Sequence, residues 1–275
     1  MTAAAFDSIA RLVRARSGIV LTADKGYMLD TRLAPVLRRH GLSSLEGLAL
    51  RLAAPGAEPL AREVTEALTT NESSFFRDGK PFEHLRQILP RLAATRPLGQ
   101  RLRVWSAACS TGQEAYSAAM VLDELAPRLG GRAAEILGTD LSSEVVERAR
   151  SGSFSQFEVQ RGLPVQLLVK HFRQENGRWQ VSPALRAMTR FEQANLLDDQ
   201  RSRGTFDVIF CRNVLIYFEL DTKRRVLEAL AERLAPDGVL YLGGAETVLG
   251  VTDKLFPLAG ERSAHVRERH LALAG

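Results

Sequence analysis

The sequence predicts an α/β protein whose Rossmann-like parallel sheet follows a small all-α N-terminal domain. From residue 102 onward, short apolar runs alternate with amphipathic helical segments, which is typical of parallel strands joined by right-handed helical crossovers. Up to about residue 70, apolar residues instead recur at three- and four-residue steps, as they do in packed helices. We therefore predict a helical domain at residues 1–70 and an α/β domain at residues 71–275.

The helical domain is predicted from two apolar stripes and the breaks between them. The stripes contain Phe6, Ile9, Leu12 and Val13, and then Met28, Leu29, Leu33, Val36 and Leu37. Glycine and proline end or interrupt helices, and here they fall at Gly18, Gly41 and Pro55-Gly56. A further helix is expected around Pro81–Ala94, before the first strand.

Four apolar runs predict the main strands of the sheet: LRVWSA, EILGTD, FDVIFC and GVLYLGG. Short apolar runs separated by helical segments are the pattern of βαβ units. The intervening helices are predicted at Gly112–Leu129, Ser142–Arg150 and Asp221–Leu234. The segment FPLAGERSAHVRERH predicts two more strands around Gly260-Glu261.

An insertion interrupts the alternation between Phe154 and Asn195. It contains a helical segment, PVQLLVKHF, and the stretch FRQENGRWQV, which turns at Asn176-Gly177. Asn-Gly between two strand-like runs is the strongest short-range signal of a β-hairpin. We expect an inserted β-flap subdomain at about residues 154–194.

Composition and length indicate a globular protein with one large domain and a smaller one. The 275 residues are 45% hydrophobic and 25% charged, and the two cysteines are Cys109 and Cys211. The sequence has no signal-peptide pattern and no apolar run near the roughly 20 residues that span a bilayer. The cysteines lack companions at zinc-like spacing. We therefore expect a cytoplasmic protein with no metal site.

Basic residues are concentrated near the N-terminus. The formal net charge is +5, which favours anionic partners. Residues 11–40 contain seven basic residues and two acidic ones, namely Arg11, Arg14, Arg16, Lys25, Arg32, Arg38 and Arg39 against Asp24 and Asp30. This excess predicts a docking surface, although a solvated helix face would show the same pattern.

Polar residues follow three of the predicted strands. Glu114 comes after the first strand, Asp140 ends the second, and Arg212-Asn213 follow FDVIFC, with Tyr217 one helical turn later. Open α/β sheets bind ligands at the carboxyl ends of their strands, so these side chains are candidates for a nucleoside site. Each also has a structural explanation, because Asp140 and Asn213 could cap helices, Glu114 could be a solvated acid and Tyr217 a core residue.

The loop between the first strand and its helix contains a single glycine, Gly112. A dinucleotide fold needs three glycines there to hold a pyrophosphate. A ligand composed of adenosine and an amino-acid tail needs charged partners and no phosphate cradle. S-adenosylmethionine fits that description.

The order of motifs resembles the CheR family, the chemoreceptor glutamate methyltransferases of bacterial chemotaxis. The similar segments are ALTTNESSFFRD, RVWSAACSTGQEAYS, GTDLSSEVVERARSG, ANLL, FDVIFCRNVLIYF and GVLYLGGAE. They span nearly the whole chain, behind a small basic helical domain. The resemblance implies a class I S-adenosylmethionine-dependent methyltransferase sheet and S-adenosylhomocysteine as a product.

The resemblance also implies which residues form the site. Cofactor contacts are expected from Asn71, Ser73, Arg77, Glu114, Asp140, Asn195, Leu196, Arg212 and Asn213. Arg77 and Tyr217 are the expected catalytic residues, with Tyr217 beside the transferring methyl group. Family members often have Thr where Ser73 stands and Glu where Gln113 stands; the first difference keeps a hydroxyl, and the second leaves Glu114 in place.

The implied reaction is methyl ester formation on receptor glutamates. Two other functions would fit parts of the sequence. A nucleic-acid methyltransferase would explain the basic charge, but CRNVLIYF lacks the paired prolines of such enzymes and no basic groove interleaved with aromatic residues is visible. The second is a non-catalytic module that binds the cofactor or a nucleotide and signals through the N-terminal domain. The presence of Arg77 and Tyr217 argues against this second function.

The implied partner is the cytoplasmic helical domain of a membrane chemoreceptor. We expect the helix from Asp24 to His40 to dock there through Arg32, Arg38 and Arg39. Some family members also bind a receptor C-terminal pentapeptide along the flap, and these have a longer, glycine-containing connection between flap strands. The connection here is a tight turn at Asn176-Gly177, so we predict an enzyme that does not use the tether. Neither nucleic-acid binding nor membrane insertion is expected.

Overall fold

The computed structural model describes residues 2–268, and these form two compact units. One unit contains the chain up to Thr70 together with Tyr217–Thr222, and the other contains Asn71–Ile216 and the residues from Lys223 onward. No helix in residues 2–268 has the length and apolarity that a membrane span requires.

Four helices form the smaller unit: α1 (Ala3–Ser17), α2 (Gly26–Arg39), α3 (Leu45–Leu52) and α4 (Glu58–Ala67). The predicted apolar stripes face inward, and their most buried members are Ile9, Val13, Leu29, Leu33 and Val36. Side-chain hydroxyls cap two of the helices, since Thr2 accepts from Ala5 N and Ser44 from Gly47 N. Apolar burial supplies most of the stability of such short helices.

The predicted break at Gly18 has a steric reason. Its φ is +77°, and a Cβ atom there would lie 2.9 Å from Cγ2 of Thr222. The segment Tyr217–Thr222 packs on this unit, because Val20 N donates to Tyr217 O over 2.9 Å and Ile19 forms a β-bridge with Phe218. Only glycine combines the left-handed φ with that close approach.

The larger unit begins with α5 (Lys80–Thr95) and contains a seven-stranded sheet in the order β6-β2-β1-β7-β8-β10-β9. Its strands are β1 (Leu102–Ala107), β2 (Ala134–Asp140), β6 (Thr189–Gln193), β7 (Phe206–Cys211), β8 (Leu234–Leu242), β9 (Phe256–Leu258) and β10 (Glu261–Val266). The first five are parallel, and β10 is antiparallel to both of its neighbours. The helices between them are α6 (Gln113–Leu125), α7 (Ser143–Ser151), α10 (Pro183–Met188) and α11 (Leu220–Arg233). The predicted fold class is confirmed.

The inserted flap is a separate three-stranded sheet in the order β3-β5-β4. Its elements are β3 (Ser153–Phe154), α8 (Gln156–Gln160), α9 (Val165–His171), β4 (Phe172–Glu175) and β5 (Arg178–Val181). The hairpin turns at Asn176-Gly177, where both residues have positive φ, as a two-residue turn requires.

The predicted flap boundary at about residue 194 is wrong. Thr189–Gln193 is not part of the flap, because it forms β6, the edge strand of the main sheet, which pairs in parallel with β2. Its sequence TRFEQ places charged residues on either side of Phe191, so it lacks the continuous apolar run by which the other parallel strands were predicted. The Phe191 ring covers Gly138 of β2, where a Cβ atom would lie 2.5 Å from it.

Two buried histidines, His171 and His265, and the half-buried His84 make the fold less stable in acid. Burial lowers the pKa of His84, His171 and His265 below the ordinary value of 6.5. In mild acid the unfolded chain therefore binds more protons than the folded one. The free energy of unfolding is then highest above the ordinary histidine pKa and falls as the pH drops through it.

His265→Leu should weaken this pH dependence. Nδ1 of His265 has no hydrogen-bond partner within residues 2–268, so leucine removes a buried polar atom along with a titrating group. We expect the slope of unfolding free energy between pH 5 and 7 to decrease by up to about 1.4 kcal/mol per pH unit. Denaturant unfolding of both proteins at several pH values measures it, and equal slopes would contradict the prediction.

Candidate active site

The candidate site lies at the carboxyl ends of β1, β2 and β7. In the sheet β1 stands between β2 and β7, so the chain leaves β1 toward one edge and later returns on its other side. This reversal of strand order is the place where open α/β sheets bind ligands. Glu114, Asp140 and Arg212 were predicted from this rule; Asp140 is the last residue of β2, Arg212 follows β7 directly, and Glu114 lies in the first turn of the helix after β1.

The loop after β1 curves by left-handed backbone turns. Ala108 and Ser110 have φ values of +65° and +51°, and Gly112 has +94°. At Gly112 a Cβ atom would lie 2.9 Å from Cβ of Ala149, so glycine is required there. Alanine and serine can adopt such angles at a cost of about 1–2 kcal/mol each, which explains how the loop turns with one glycine.

The main-chain amides of this loop bond to protein acceptors. Cys109 N donates to Thr139 O over 2.9 Å, and Ser110 N donates to Oδ2 of Asp140 over 2.8 Å. Gly112 N donates to Cys109 O over 3.0 Å. A phosphate cradle needs such amides to point at the ligand, so these bonds argue against a pyrophosphate cofactor and agree with the single glycine.

Asp140 fixes the loop relative to β2. Its Oδ2 accepts from Ser110 N, and its Oδ1 accepts from Ser142 N over 3.1 Å. The alternative that Asp140 caps α7 is wrong, because Ser142 occupies that N-cap position. The next segment is attached to the same strand end, since Ala194 N donates to Asp140 O over 2.8 Å.

Arg212 connects three segments of the site. Its Nη1 lies 3.1 Å from Oε2 of Glu114, and its Nη2 donates to Oδ2 of Asp78 over 2.6 Å and to Arg77 O over 2.9 Å. The Arg212 side chain is 2% exposed, so this charge is held in a low-dielectric setting between two carboxylates. Its Nε is buried without a hydrogen-bond partner among the described residues, which leaves a donor for a polar ligand.

Glu114 is a largely buried member of this group, with its side chain 12% exposed. Its Oε1 accepts from Oγ of Ser106 over 2.7 Å. Burial raises the pKa of Glu114, and the nearby Arg212 guanidinium counteracts part of that rise. The interpretation of Glu114 as a solvated acid is therefore wrong.

The segment before α5 carries three of the predicted residues. Asn71 O accepts from Oγ of Ser110 over 2.6 Å, and Nη1 of Arg77 donates to Glu72 O over 3.2 Å. Ser73 lies between them in irregular backbone and is half-buried. The bond from Ser110 attaches the segment to the loop after β1, and the Arg212 contact with Arg77 O attaches it to the loop after β7.

The remaining predicted residues lie in three loops. Oδ1 of Asn195 accepts from Leu197 N over 3.0 Å, and Leu196 is half-buried between them. Asn213 follows β7 with a φ of +59°, so it is not in a helix-capping conformation. Tyr217 ends a 3₁₀ turn, Leu215–Tyr217, and groups with the smaller unit; its role stays a prediction.

Two residues of this region were missed by sequence reasoning. Asp78 shares the Arg212 side chain with Glu114, and no sequence pattern distinguished it from its neighbours. Glu246 accepts four main-chain N–H groups in the loops after β7 and β8. The strand-end rule that selected Asp140 could have found Glu246, since it follows β8 by four residues.

The three basic residues proposed for docking differ in their surroundings. Arg32 donates to the carbonyls of Leu68 and Thr69, beyond the end of α4, over 3.1 and 2.7 Å. Arg39 forms an ion pair with Glu63 of α4. Arg38 is exposed. Arg38 and Arg39 are thus both exposed, and Arg38 is the one of the three with no ion pair or side-chain hydrogen bond within residues 2–268.

The residues present fit an adenosyl ligand with a charged amino-acid tail. Such a ligand needs an acidic group at the second strand, here Asp140, and charged partners for its tail, here Glu114 and Arg212. The partnerless Nε of Arg212 agrees with this. The sheet order and the loop geometry together are those of a nucleoside-binding α/β protein.

Family models cover both units. The model described as "CheR methyltransferase, all-alpha domain" matches residues 4–69, and "CheR methyltransferase, SAM binding domain" matches residues 71–263. "Chemotaxis protein methyltransferase Cher2" of Pseudomonas putida is 40% identical over 241 residues, which are 86% of this chain and 87% of that one. "Chemotaxis protein methyltransferase 1" of Pseudomonas aeruginosa is 41% identical over 241 residues, with the same coverage of 86% and 87%.

Solved structures are more distant. PKMT2 from Rickettsia typhi in complex with AdoHcy is 20% identical, with a TM-score of 0.38 over 63% of this chain and 26% of that one. The family models and relatives show that the chain is an S-adenosylmethionine-dependent methyltransferase. It belongs to the CheR methyltransferase family, whose relatives are methyltransferases of chemotaxis.

Removal of Arg212 should destabilise the larger unit strongly. Arg212→Met leaves the buried Glu114 carboxylate without its cation, and breaking a buried pair costs about 3–5 kcal/mol. The loss should grow as the pH rises, because Glu114 with a raised pKa must give up a proton on unfolding. Denaturant unfolding at several pH values measures this.

The double variant Arg212→Met/Glu114→Gln is the matched control. It removes the uncompensated Glu114 carboxylate and leaves only that of Asp78, whose side chain is 53% exposed, so it should unfold with a smaller loss than Arg212→Met alone. Additive losses from the two single substitutions would show that the pair is not coupled.

Proposed function

We propose that this enzyme transfers a methyl group to glutamate side chains of membrane chemoreceptors, forming glutamyl methyl esters during chemotaxis adaptation. The main support for this proposal is that Arg212 and Asp140 join the residues at the strand ends, in a chain that belongs to the CheR family. In this proposal residues 1–70 dock the receptor and residues 71–275 catalyse. We place the enzyme in the cytoplasm, with the helical domain of the receptor.

The proposed roles divide between holding the cofactor and orienting the substrate. S-adenosylmethionine supplies an electrophilic methyl group on a positively charged sulfur when it is bound. Its proposed contacts are Asn71, Ser73, Arg77, Glu114, Asp140, Asn195, Leu196, Arg212 and Asn213. Arg77 and Tyr217 orient the substrate carboxylate toward the methyl group, so that attack is in line.

No general base is needed for this chemistry. A glutamate carboxylate has a reference pKa near 4.3 and is already ionised at neutral pH. The site lowers the barrier by alignment and by excluding water, because opposite charges are lost as the bond forms. Arg77 must orient the carboxylate without neutralising it, and its bond to the Glu72 carbonyl supports a fixed position.

The test of this function is transfer of labelled methyl to receptor-enriched membranes. Base-labile methyl esters on the receptor are the expected product, and label on nucleic acid or on no acceptor would contradict the proposal.

Arg77→Ala should lower the transfer rate by about 100-fold or more while weakening S-adenosylhomocysteine binding less. Asp140→Ala should act chiefly on the binding of S-adenosylhomocysteine. If Arg77→Ala lost rate and affinity equally, the role of Arg77 would be reduced to holding the cofactor.

Receptor docking through α2 is part of the proposal. The residues named for it are Arg32, Arg38 and Arg39, but Arg32 bonds to the carbonyls that follow α4 and Arg39 pairs with Glu63 of α4. Charge reversal at either would disturb the helical unit as well as the surface. Arg38 is exposed, and it is the residue whose substitution isolates docking.

Arg38→Glu should raise the KM for receptor about threefold to tenfold and flatten its salt dependence, because one attractive charge becomes repulsive. Cofactor affinity should not change. Arg51→Glu, a substitution at another exposed arginine, on α3, is the control and should leave the receptor KM unaltered.

Receptors without their C-terminal pentapeptide should be methylated as fast as intact ones, and a clear loss of rate on tail removal would overturn the tether-independent docking.

A further inference from the structure

The Glu246 carboxylate joins the loops that follow β7 and β8. Its Oε2 accepts from Asn213 N over 2.9 Å and from Gly243 N over 2.7 Å. Its Oε1 accepts from Val214 N over 2.9 Å and from Leu215 N over 2.7 Å. Each oxygen thus accepts two main-chain hydrogens, and three of the four come from consecutive residues after β7.

The backbone of Glu246 is fixed in its own loop. Glu246 N donates to Gly243 O over 2.9 Å, while the side chain accepts from Gly243 N. A Cβ atom at Gly243 would lie 2.8 Å from Nδ2 of Asn213 and 2.9 Å from Asn213 N. The two loops therefore approach so closely that position 243 has no room for a side chain.

The segment that Glu246 holds would otherwise be strained. Asn213 has a φ of +59°, a left-handed conformation that is unfavourable for L-residues, although asparagine adopts it more readily than the others. Val214 N and Leu215 N lead into the 3₁₀ turn Leu215–Tyr217, and the first amides of a helical turn lack partners of their own. A carboxylate bonded to all three amides offsets both costs, and negative charge is favourable at that end of a helical turn.

We propose that Glu246 is a positioning residue for methyl transfer, which sets the Asn213 side chain for the cofactor and the start of the turn that contains Tyr217. It acts through the main chain and need not touch cofactor or substrate. This inference rests on the roles proposed above for Asn213 and Tyr217. The positioning role belongs to the carboxylate itself, because a neutral amide of the same shape has only one acceptor atom.

Glu246→Gln tests this directly. Whichever way the amide turns, its NH₂ group faces two main-chain donors and two of the four bonds are lost. We expect S-adenosylhomocysteine to bind about tenfold to a hundredfold more weakly by calorimetry. The kcat at saturating cofactor should fall as well, because the same bonds hold the turn before Tyr217. Glu246→Asp keeps the charge but is too short to bond to both loops, so it should show losses of the same kind.

The matched control is Asp207→Asn, at the opposite end of β7. Asp207 also accepts a main-chain hydrogen, from Arg103 N over 2.7 Å, and pairs with Arg96. This variant should unfold at a lower temperature but bind S-adenosylhomocysteine within twofold of the wild type, when both are measured where they are folded.

Wild-type affinity and kcat in Glu246→Gln would overturn the inference, and so would an equal loss of affinity in Asp207→Asn. Wild-type behaviour in Glu246→Asp together with a loss in Glu246→Gln would also overturn it, since charge and not position would then be responsible. A wild-type protein that does not bind S-adenosylhomocysteine would instead refute the site proposed above.

Discussion

The buried guanidinium of Arg212 is the interaction on which the candidate site depends. It bonds to the Asp78 and Glu114 carboxylates and to the Arg77 carbonyl. An isolated buried charge would be very costly, so these partners are a condition of placing it there. The planar guanidinium can bond in several directions at once, which the ammonium of lysine cannot do from one fixed position. The strand end, the first turn of α6 and the segment before α5 are thereby held together.

Strained backbone is concentrated in the loops that Arg212, Asp140 and Glu246 hold. The non-glycine residues with positive φ in the described part of the chain are Phe76, Asp78, Ala108, Ser110, Asn213 and Asn176. All except Asn176, which lies in the flap hairpin, are in those loops. Such conformations persist only where surrounding contacts compensate for them, and they are common at functional sites. The carboxylates of Asp140 and Glu246 provide that compensation by accepting main-chain hydrogens.

The arrangement of charge follows the requirements of the proposed reaction. Proton transfer is not needed for it, and the charged groups Glu114, Asp140, Arg212 and Glu246 bond to main-chain atoms or to one another. Glu114 illustrates this role: burial raises the pKa of its carboxyl and Arg212 counteracts part of that rise. An electrostatic environment built in this way is prepared before the ligand arrives, which is how alignment and desolvation lower a barrier.

Apolar periodicity was enough to predict the fold class, the helical unit and most of the strand ends. Apolar periodicity reports burial directly, and parallel strands buried on both faces appear as continuous apolar runs. The same signal fails for β6, because an edge strand is buried on fewer sides and TRFEQ can carry charges. Motif resemblance added Asn71, Ser73, Asn195 and Leu196, which no periodicity distinguishes.

How these residues are joined depends on contacts that form only in the folded chain. Asp78 and Glu114 both contact Arg212. Along the chain, Glu114 is 36 residues from Asp78 and 98 residues from Arg212. Glu246 reaches Asn213 from the next strand of the sheet. Contacts between residues so distant along the chain depend on strand order and loop geometry, and these are set by the packing of the whole sheet. The exposure of Arg38 and the engagement of Arg32 and Arg39 were decided in the same way, by which neighbours the folded helices bring within reach.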